Sequence, residues 1–279
     1  MNTCYLCGWT KLSLIQRNIQ QCRRCHFVQV VPRLAHTAYT NLYKDDWEHF
    51  GPYLSQIPAH RLYFNIILDY VGRSVTLSGA RILDVGCALG ILLEEALKRK
   101  MKAEGVDISQ AAVGYARKKK LAVTHNTCVS FQKRNQIRNT YDVITALEVV
   151  EHDEDPRAML ESAYSMLKKG GMLLITTPNF DTIFRKIMGK GWIGYRHREH
   201  LWFFTPKTMT KLLAETGFSP VTVRSDFRRS YSVSYMFRRI GEYIPVLAPV
   251  MRLCQKLNRR ATVVLPCNPW GDMLVVAIK

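Results

Sequence analysis

The chain reads as an α/β protein: a mainly parallel, doubly wound sheet covered on both faces by helices, with a small cysteine-rich ribbon before it. Three observations predict this. A strand, glycine turn, helix, strand unit occupies Arg81 to Asp107. Strand-like apolar runs then alternate with capped helical runs to the last residues. Two C-x-x-C pairs are confined to the first 25 residues. At 279 residues, one α/β domain plus an appendage fits the length, and 47% apolar with 10% aromatic residues supplies a core.

Residues 1–30 carry Cys4, Cys7, Cys22 and Cys25, the pairs separated by fourteen residues. Such paired knuckles can close a tetrahedral thiolate cage around zinc, and four cysteines leave no open position for a substrate, so the expected site is structural. Redox-active pairs are the alternative. Residues 31–57 form a connector with Tyr39, Tyr43, Trp47, Phe50 and Tyr53, which reads as a lid over a neighbouring cleft or as packing for the ribbon. From Pro58, apolar residues Leu62, Ile66, Ile67, Tyr70 and Val71 recur at helical spacing.

The unit at Arg81–Asp107 follows. Ile82 and Leu83 lead to Asp84; Gly86-Cys87-Ala88-Leu89-Gly90 makes a tight turn; Ile91 to Arg99 is amphipathic; Ala103 to Val106 ends on Asp107. Glycines let the backbone turn and approach a ligand, and a carboxylate ending the second strand stands where ribose hydroxyls are accepted. Ser109 caps a helix to about Lys119, Leu121 to Thr124 is a third strand, and Asn126-Thr127-Cys128 is a polar loop at the same edge. Tyr141 to Leu147 is a buried strand. Asp155-Pro156 opens a helix expected to end at Gly170-Gly171, and Met172 to Thr177 is the next strand. Thr205-Pro206 opens a helix closed by Gly217, Val221 to Arg224 is strand-like, and Met273 to Ile278 is the last strand.

Taken together, Asp84 to Gly90, Asp107, Tyr141 to Ile144 with Glu148 to His152, Leu167 to Gly171 leading to Thr177-Pro178-Asn179, and Glu199-His200-Leu201 with Phe204-Thr205-Pro206 resemble the class I S-adenosylmethionine-dependent methyltransferases. The likeness spans roughly residues 58–279, and the amino-terminal ribbon resembles one found on a bacterial branch. The resemblance implies a Rossmann-like, doubly wound seven-stranded sheet with its last strand antiparallel. It implies S-adenosyl-L-methionine bound by Asp84, Gly86, Cys87, Ala88, Gly90, Asp107, Ile108, Thr127, Cys128 and Glu148, with the methionine portion on the turn, the ribose on Asp107 and the adenine beside Thr127 or Cys128. Ala88 departs from the family's usual glycine, and Thr127 from a position that is often acidic. His152 is the candidate base, because an unperturbed imidazole titrates near ~6.5; a histidine that merely orients its loop is the alternative. Glu148, Glu151 and His152 also resemble the E-x-x-E-H segment of ubiquinone-pathway O-methyltransferases, where a divalent cation can bind. His200, in Tyr195-Arg196-His197-Arg198-Glu199-His200, is a second catalytic candidate in a cluster that either closes over an anionic substrate or forms a basic surface loop.

Forty Lys and Arg against 22 acids give a formal charge of +18, which points to an anionic partner or to a merely basic surface. Residues 224–260 concentrate nine Lys or Arg against two acids among aromatics and aliphatics. This insertion, at about 226–262, is expected to lie on an anionic membrane surface or to pack on the sheet, with nucleic acid a lesser option. Neither a secretory signal nor a bilayer-spanning run is visible, and the cysteine distribution fits a reducing compartment, so a cytoplasmic protein, in possible peripheral contact with the inner face of the membrane, is expected. The acceptor is expected to be a small molecule, a sugar or a lipid-linked compound methylated on oxygen. An RNA methyltransferase or a non-catalytic cofactor-binding scaffold are the rivals. The oligomeric state stays open.

Overall fold

The computed structural model describes residues 3–32, 53–54, 56–195, 199–227, 229–257, 262–265 and 271–279. Most of the expected lid, with Tyr39, Tyr43, Trp47 and Phe50, lies outside these residues, as do Arg196, His197 and Arg198.

The elements run β1 (Leu12–Gln16), β2 (Ile19–Cys22), β3 (Val28–Val30), α1 (Ile57–Val71), β4 (Arg81–Val85), α2 (Ile91–Lys98), β5 (Lys102–Asp107), α3 (Gln110–Lys118), β6 (Ala122–His125), α4 (Cys128–Asn135), β7 (Tyr141–Leu147), α5 (Pro156–Met166) and β8 (Leu167–Pro178). They continue α6 (Ile183–Met188), β9 (Trp202–Phe203), α7 (Pro206–Glu215), β10 (Val221–Arg224), β11 (Arg229–Ser232), α8 (Val233–Tyr243), α9 (Ala248–Leu257), β12 (Thr262–Leu265) and β13 (Asp272–Ile278). The main sheet has seven strands in the order β10-β13-β8-β7-β4-β5-β6. Strands β8, β7, β4, β5 and β6 pair in parallel, whereas β13 is antiparallel to both β8 and β10. This is the doubly wound, seven-stranded arrangement with an antiparallel last strand.

Side chains alternate across the sheet with the strand period of two. Leu83, Ile144, Leu173 and Met273 point to a core shared with α4, α5 and α7, through Phe131, Met159 and Leu212. Ile82, Val143, Leu174 and Leu274 point to the opposite core, shared with α1, α2 and α3. Capping agrees with the residues present: Ser109, Thr127, Asp155 and Thr205 each accept from a backbone N–H of the first turn of the helix they precede.

Three elements differ from expectation. In α1 the buried face is Tyr63, Phe64, Ile67, Leu68 and Val71, while Leu62 is exposed, so the apolar stripe is rotated by one position from the one expected. Helix α5 stops at Met166 rather than at Gly170-Gly171. Leu167 already pairs with Tyr141, and Gly170, at φ +76°, bends β8 as a bulge instead of terminating a helix. Finally, Asn126-Thr127-Cys128 is not an open polar loop, because Thr127 caps α4, which the sequence did not announce.

The ribbon is not independent of the main domain. Its sheet runs β1-β2-β3-β9, and β9 comes from the chain between α6 and α7. Trp202 packs against Tyr5 and Phe27 of the ribbon, with ring centroids 4.4 and 6.0 Å away.

Candidate active site

Parallel strands bring their carboxyl ends to one edge, and the sequence places its carboxylates there. Asp84, the last residue but one of β4, has only 4% of its surface exposed and accepts from Thr145 Oγ1 at 2.6 Å. Burial pushes its carboxyl up to about 7, with Asp107 adding to the rise and Thr145 opposing it. The next residues turn back at once. Gly86 and Cys87 donate their N–H groups to the Val106 carbonyl at 2.8 and 3.2 Å. Gly86 adopts φ +70°, and a Cβ there would stand 2.4 Å from Val149 Cγ2, so glycine is required twice over. Ala88 is itself left-handed at φ +44°, and its N–H donates to Asp107 Oδ2 at 2.8 Å, while Ser109 N–H donates to Oδ1 at 2.8 Å. The turn and the acidic end of β5 are therefore one hydrogen-bonded unit. Tyr53 stacks on His60 at 4.1 Å and packs against the core cluster that contains Cys87 and Leu89, and burial, followed by the Asp84 carboxylate, pushes its hydroxyl up.

The remaining sequence candidates on this side divide. Ile108 is half-buried at the edge, and its carbonyl is bonded to His125 Nε2 at 2.9 Å. Thr127 spends its hydroxyl on the cap of α4. Cys87 and Cys128 turn their thiols inward: Cys87 Sγ occupies the space over Gly105, and Cys128 Sγ points to the Met159 carbonyl. Their side chains are core, and burial raises both thiols.

A second group follows β7. Glu148 takes φ +58°, donates its N–H to the Thr176 carbonyl at 2.8 Å and accepts from Arg229 Nη1 at 3.1 Å. Arg229 also meets Asp272 Oδ2 at 2.8 Å and lies 4.7 Å above the Tyr63 ring. Glu148 thus faces Arg229, whereas Glu151 and His152 gather with His200. The Glu151, His152 and His200 ligand atoms all lie within 4.8 Å of one another, close enough to share a cation. Glu151 is fully buried, and among the described residues neither of its oxygens makes a hydrogen bond. Burial, followed by the charge of Glu148, holds its carboxyl well above the usual range. His152 Nδ1 is bonded to the Glu199 carbonyl and His200 Nδ1 to the Gly194 carbonyl, each at 3.1 Å. A carbonyl only accepts, so each Nδ1 carries a proton, and His152 Nε2 faces Glu151 Oε1 at 3.8 Å. The rings meet edge-on at 4.7 Å.

With this geometry in view, comparison with known proteins decides the family. A family model described as a methyltransferase domain matches residues 54–223. The chain belongs to that family. It is 27% identical over 218 residues to the ubiquinone biosynthesis O-methyltransferase of Coxiella burnetii, covering 71% of this chain and 91% of that protein. It is 34% identical over 137 residues to the protein of the same name from Xanthomonas campestris, covering 48% and 56%. A solved SAM-dependent methyltransferase from Archaeoglobus fulgidus shares the fold with a TM-score of 0.54 at 22% identity, covering 78% of this chain and 93% of that one. The protein is an S-adenosylmethionine-dependent methyltransferase.

The methyltransferase's carboxyl edge fits its cofactor in chemical character. Two carboxylates, Asp84 and Asp107, flank a turn whose two glycines are both left-handed. The ribbon fits a metal. Cys4 Sγ lies 3.5 Å from Cys25 Sγ and Cys7 Sγ 3.6 Å from Cys22 Sγ, with all four sulfurs within 4.8 Å. A tetrahedron with Zn–S bonds of ~2.3 Å has edges of ~3.8 Å. Residues that the sequence did not single out are Arg229, Asp272, Tyr63 and His60. Arg229 stands in a long basic stretch, and only the pairing of β13 with β8 brings Asp272 to it.

Proposed function

We propose that this methyltransferase methylates a hydroxyl oxygen of a small-molecule, sugar or lipid-linked acceptor. The observation that carries the reading is the pair of imidazoles gathered with Glu151 at the carboxyl edge, each oriented through Nδ1 by a backbone carbonyl. When bound, the cofactor supplies a methyl group already activated by its sulfonium. What the chain must add is position and a proton acceptor. Asp107 would hold the ribose hydroxyls, the Gly86–Gly90 turn would cradle the methionine portion, and the backbone at Ile108, Thr127 and Cys128 would border the adenine. His152, a quarter exposed, would take the acceptor's hydroxyl proton on Nε2, and buried His200 would fix the ring beside it. The names of the Coxiella and Xanthomonas relatives support oxygen as the nucleophile.

A second reading is favoured by the buried Glu151 carboxyl, which stands 3.8 Å from His152 Nε2. Glu151, His152 and His200 would together hold a divalent cation that lowers the acceptor hydroxyl's pKa. The four ribbon thiolates would hold a structural zinc.

The test is transfer from radiolabelled donor to fractionated lipids, glycans and RNA by the parent and by His152→Ala and His200→Ala. Label in a lipid or glycan hydroxyl, with turnover reduced at least ~100-fold in the His152 variant and cofactor affinity kept, is the expected result. Label mainly in RNA, or tight cofactor binding with no transfer to any fraction, would replace this reading with an RNA methyltransferase or a scaffold. Stimulation by magnesium or manganese that is lost in Glu151→Gln would select the metal-assisted form.

A further inference from the structure

The α8–α9 hairpin, between β11 and β12, is built with its apolar side outward. A single turn, Pro245–Leu247, joins the two helices. Gly241 lets them touch: a Cβ there would come 3.3 Å from Ala248 Cα and 3.5 Å from Met251 Cβ, and Gln255 Nε2 donates to the Ser234 carbonyl at 3.2 Å. Ala248, Met251 and Gln255 therefore mark the face of α9 that rests on α8. On a helix of 3.6 residues per turn, Val250, Leu253 and Leu257 fall on the opposite side. They are 55%, 59% and 76% exposed, and Val246, in the connecting turn, is 81% exposed. None of the described residues of α9 is buried.

Beside this stripe, Arg252 and Lys256 are exposed one turn apart, with no ion pair among the described residues. Helix α9 contains no acidic residue, and the acid of α8, Glu242, is taken by Arg238 and Arg239. A monomer in water gains nothing by turning an aliphatic stripe outward, and such a stripe beside cations has the character of an interaction face. A second copy seated symmetrically on it would bring Arg252 and Lys256 against their own counterparts. An anionic bilayer meets both features at once, with aliphatics at the headgroup boundary and cations on lipid phosphates. Ten residues of helix, about 15 Å, are too short to span and of a length to lie in the interface. No described helix is long and apolar enough to cross a membrane.

We propose that the outer face of the α8–α9 hairpin docks on an anionic lipid bilayer. Docking there fixes the site relative to the membrane, because the hairpin stem begins at Arg229, whose guanidinium lies on Glu148 and Asp272. The Ser230 hydroxyl, bonded to the Ala59 carbonyl, ties that stem to α1. A lipid-linked acceptor would then be met where it resides; this last step alone rests on the proposed function.

The test is co-sedimentation of the whole protein, without methyl donor or acceptor, with vesicles of phosphatidylcholine alone and of phosphatidylcholine mixed with phosphatidylglycerol. Salt-sensitive binding to the mixed vesicles, at least ~10-fold above the neutral ones, is expected. Val250→Ser/Leu253→Ser/Leu257→Ser should lose at least ~10-fold of it. Arg252→Glu/Lys256→Glu should lose the preference for anionic lipid, with the circular dichroism of both variants unchanged. Equal binding by parent and variants, or no binding to either vesicle, overturns the proposal. A concentration-dependent dimer abolished by the triple variant, without vesicle binding, would assign the face to self-association and overturn it too. Since no acceptor enters the assay, a wrong acceptor class leaves its result untouched.

Discussion

Replacing Arg229 by methionine should destabilise the fold by about 3 kcal/mol. The guanidinium is 15% exposed, stands 2.8 Å from Asp272 and 3.1 Å from Glu148, and lies over the Tyr63 ring at 4.7 Å. Methionine refills much of the volume but leaves two carboxylates facing each other with no cation between them. Removing one partner of a buried pair costs about 3–5 kcal/mol. Asp272, 12% exposed, feels this fully, but Glu148 is 34% exposed and is relieved in part by water, so the low end, ~3 kcal/mol, applies. Urea unfolding at pH 8 measures it, with the loss read from the midpoint at unchanged slope. Arg229→Met/Asp272→Asn/Glu148→Gln should recover at least about half of it, since replacing a whole buried charge group by neutral residues is often nearly neutral. A loss below ~1 kcal/mol, or a triple variant as unstable as the single one, would refute the claim that Arg229 compensates buried acids.

The other expectations are shorter. Asp107→Ala should weaken cofactor binding at least ~10-fold by calorimetry, since it removes both the ribose acceptor and the bonds to Ala88 and Ser109 N–H; unchanged affinity would take Asp107 out of the site. Purified reduced protein should contain one zinc per chain, and Cys22→Ser should release it and open the amides of Val28 to Val30 to hydrogen exchange; metal well below stoichiometric sinks the assignment. Asp84, held at about 7 in the fold against ~4 unfolded, contributes most below pH ~4, and that contribution is lost as the pH rises through 7. Asp84→Asn should therefore be the more stable protein at pH 8, by up to ~4 kcal/mol, with the difference closing toward pH 4; a difference independent of pH contradicts this.

Legibility in the sequence followed the reach of the interactions. The turn at Gly86–Gly90, the strand Tyr141–Leu147 and the start of α5 at Asp155-Pro156 were readable because spacing, glycine and capping chemistry act within a few residues. Gly170 was ambiguous in principle, since a left-handed glycine serves a helix end and a strand bulge alike, and only the pairing of Leu167 with Tyr141 resolves it. The stripe of α1 was misjudged by a position because Leu62 and Ile66 are as apolar as the Tyr63, Phe64 and Ile67 beside them. The charge group at Arg229 was beyond reach, because it joins the end of β7, β11 and β13, through residues 43 to 124 apart in sequence. The two-residue β9, which continues the ribbon sheet, is too short to show any period.

The sign of the charge is the point at which sequence and site part company. The chain carries a surplus of 18 positive charges, yet Asp84, Asp107, Glu148, Glu151 and Asp272 gather at its carboxyl edge with Arg229 bound up among them, burial favouring the neutral carboxyls of Asp84 and Glu151. An acidic cleft favours a donor that carries a sulfonium and an ammonium, and it favours the demethylated product less, since transfer removes the sulfonium charge. The same cleft disfavours a strongly anionic acceptor at the reacting atoms, unless the anionic group extends away from the edge. Among the described residues, Arg252 and Lys256 lie beside the outward Val250, Leu253 and Leu257 of α9, so part of the basic surplus borders the proposed docking face. Nucleic acid would call for exposed cations interleaved with aromatic faces on which bases stack, whereas this stripe is aliphatic. On the proposed docking, the charge that pointed to an anionic partner is met by a lipid surface rather than by the acceptor.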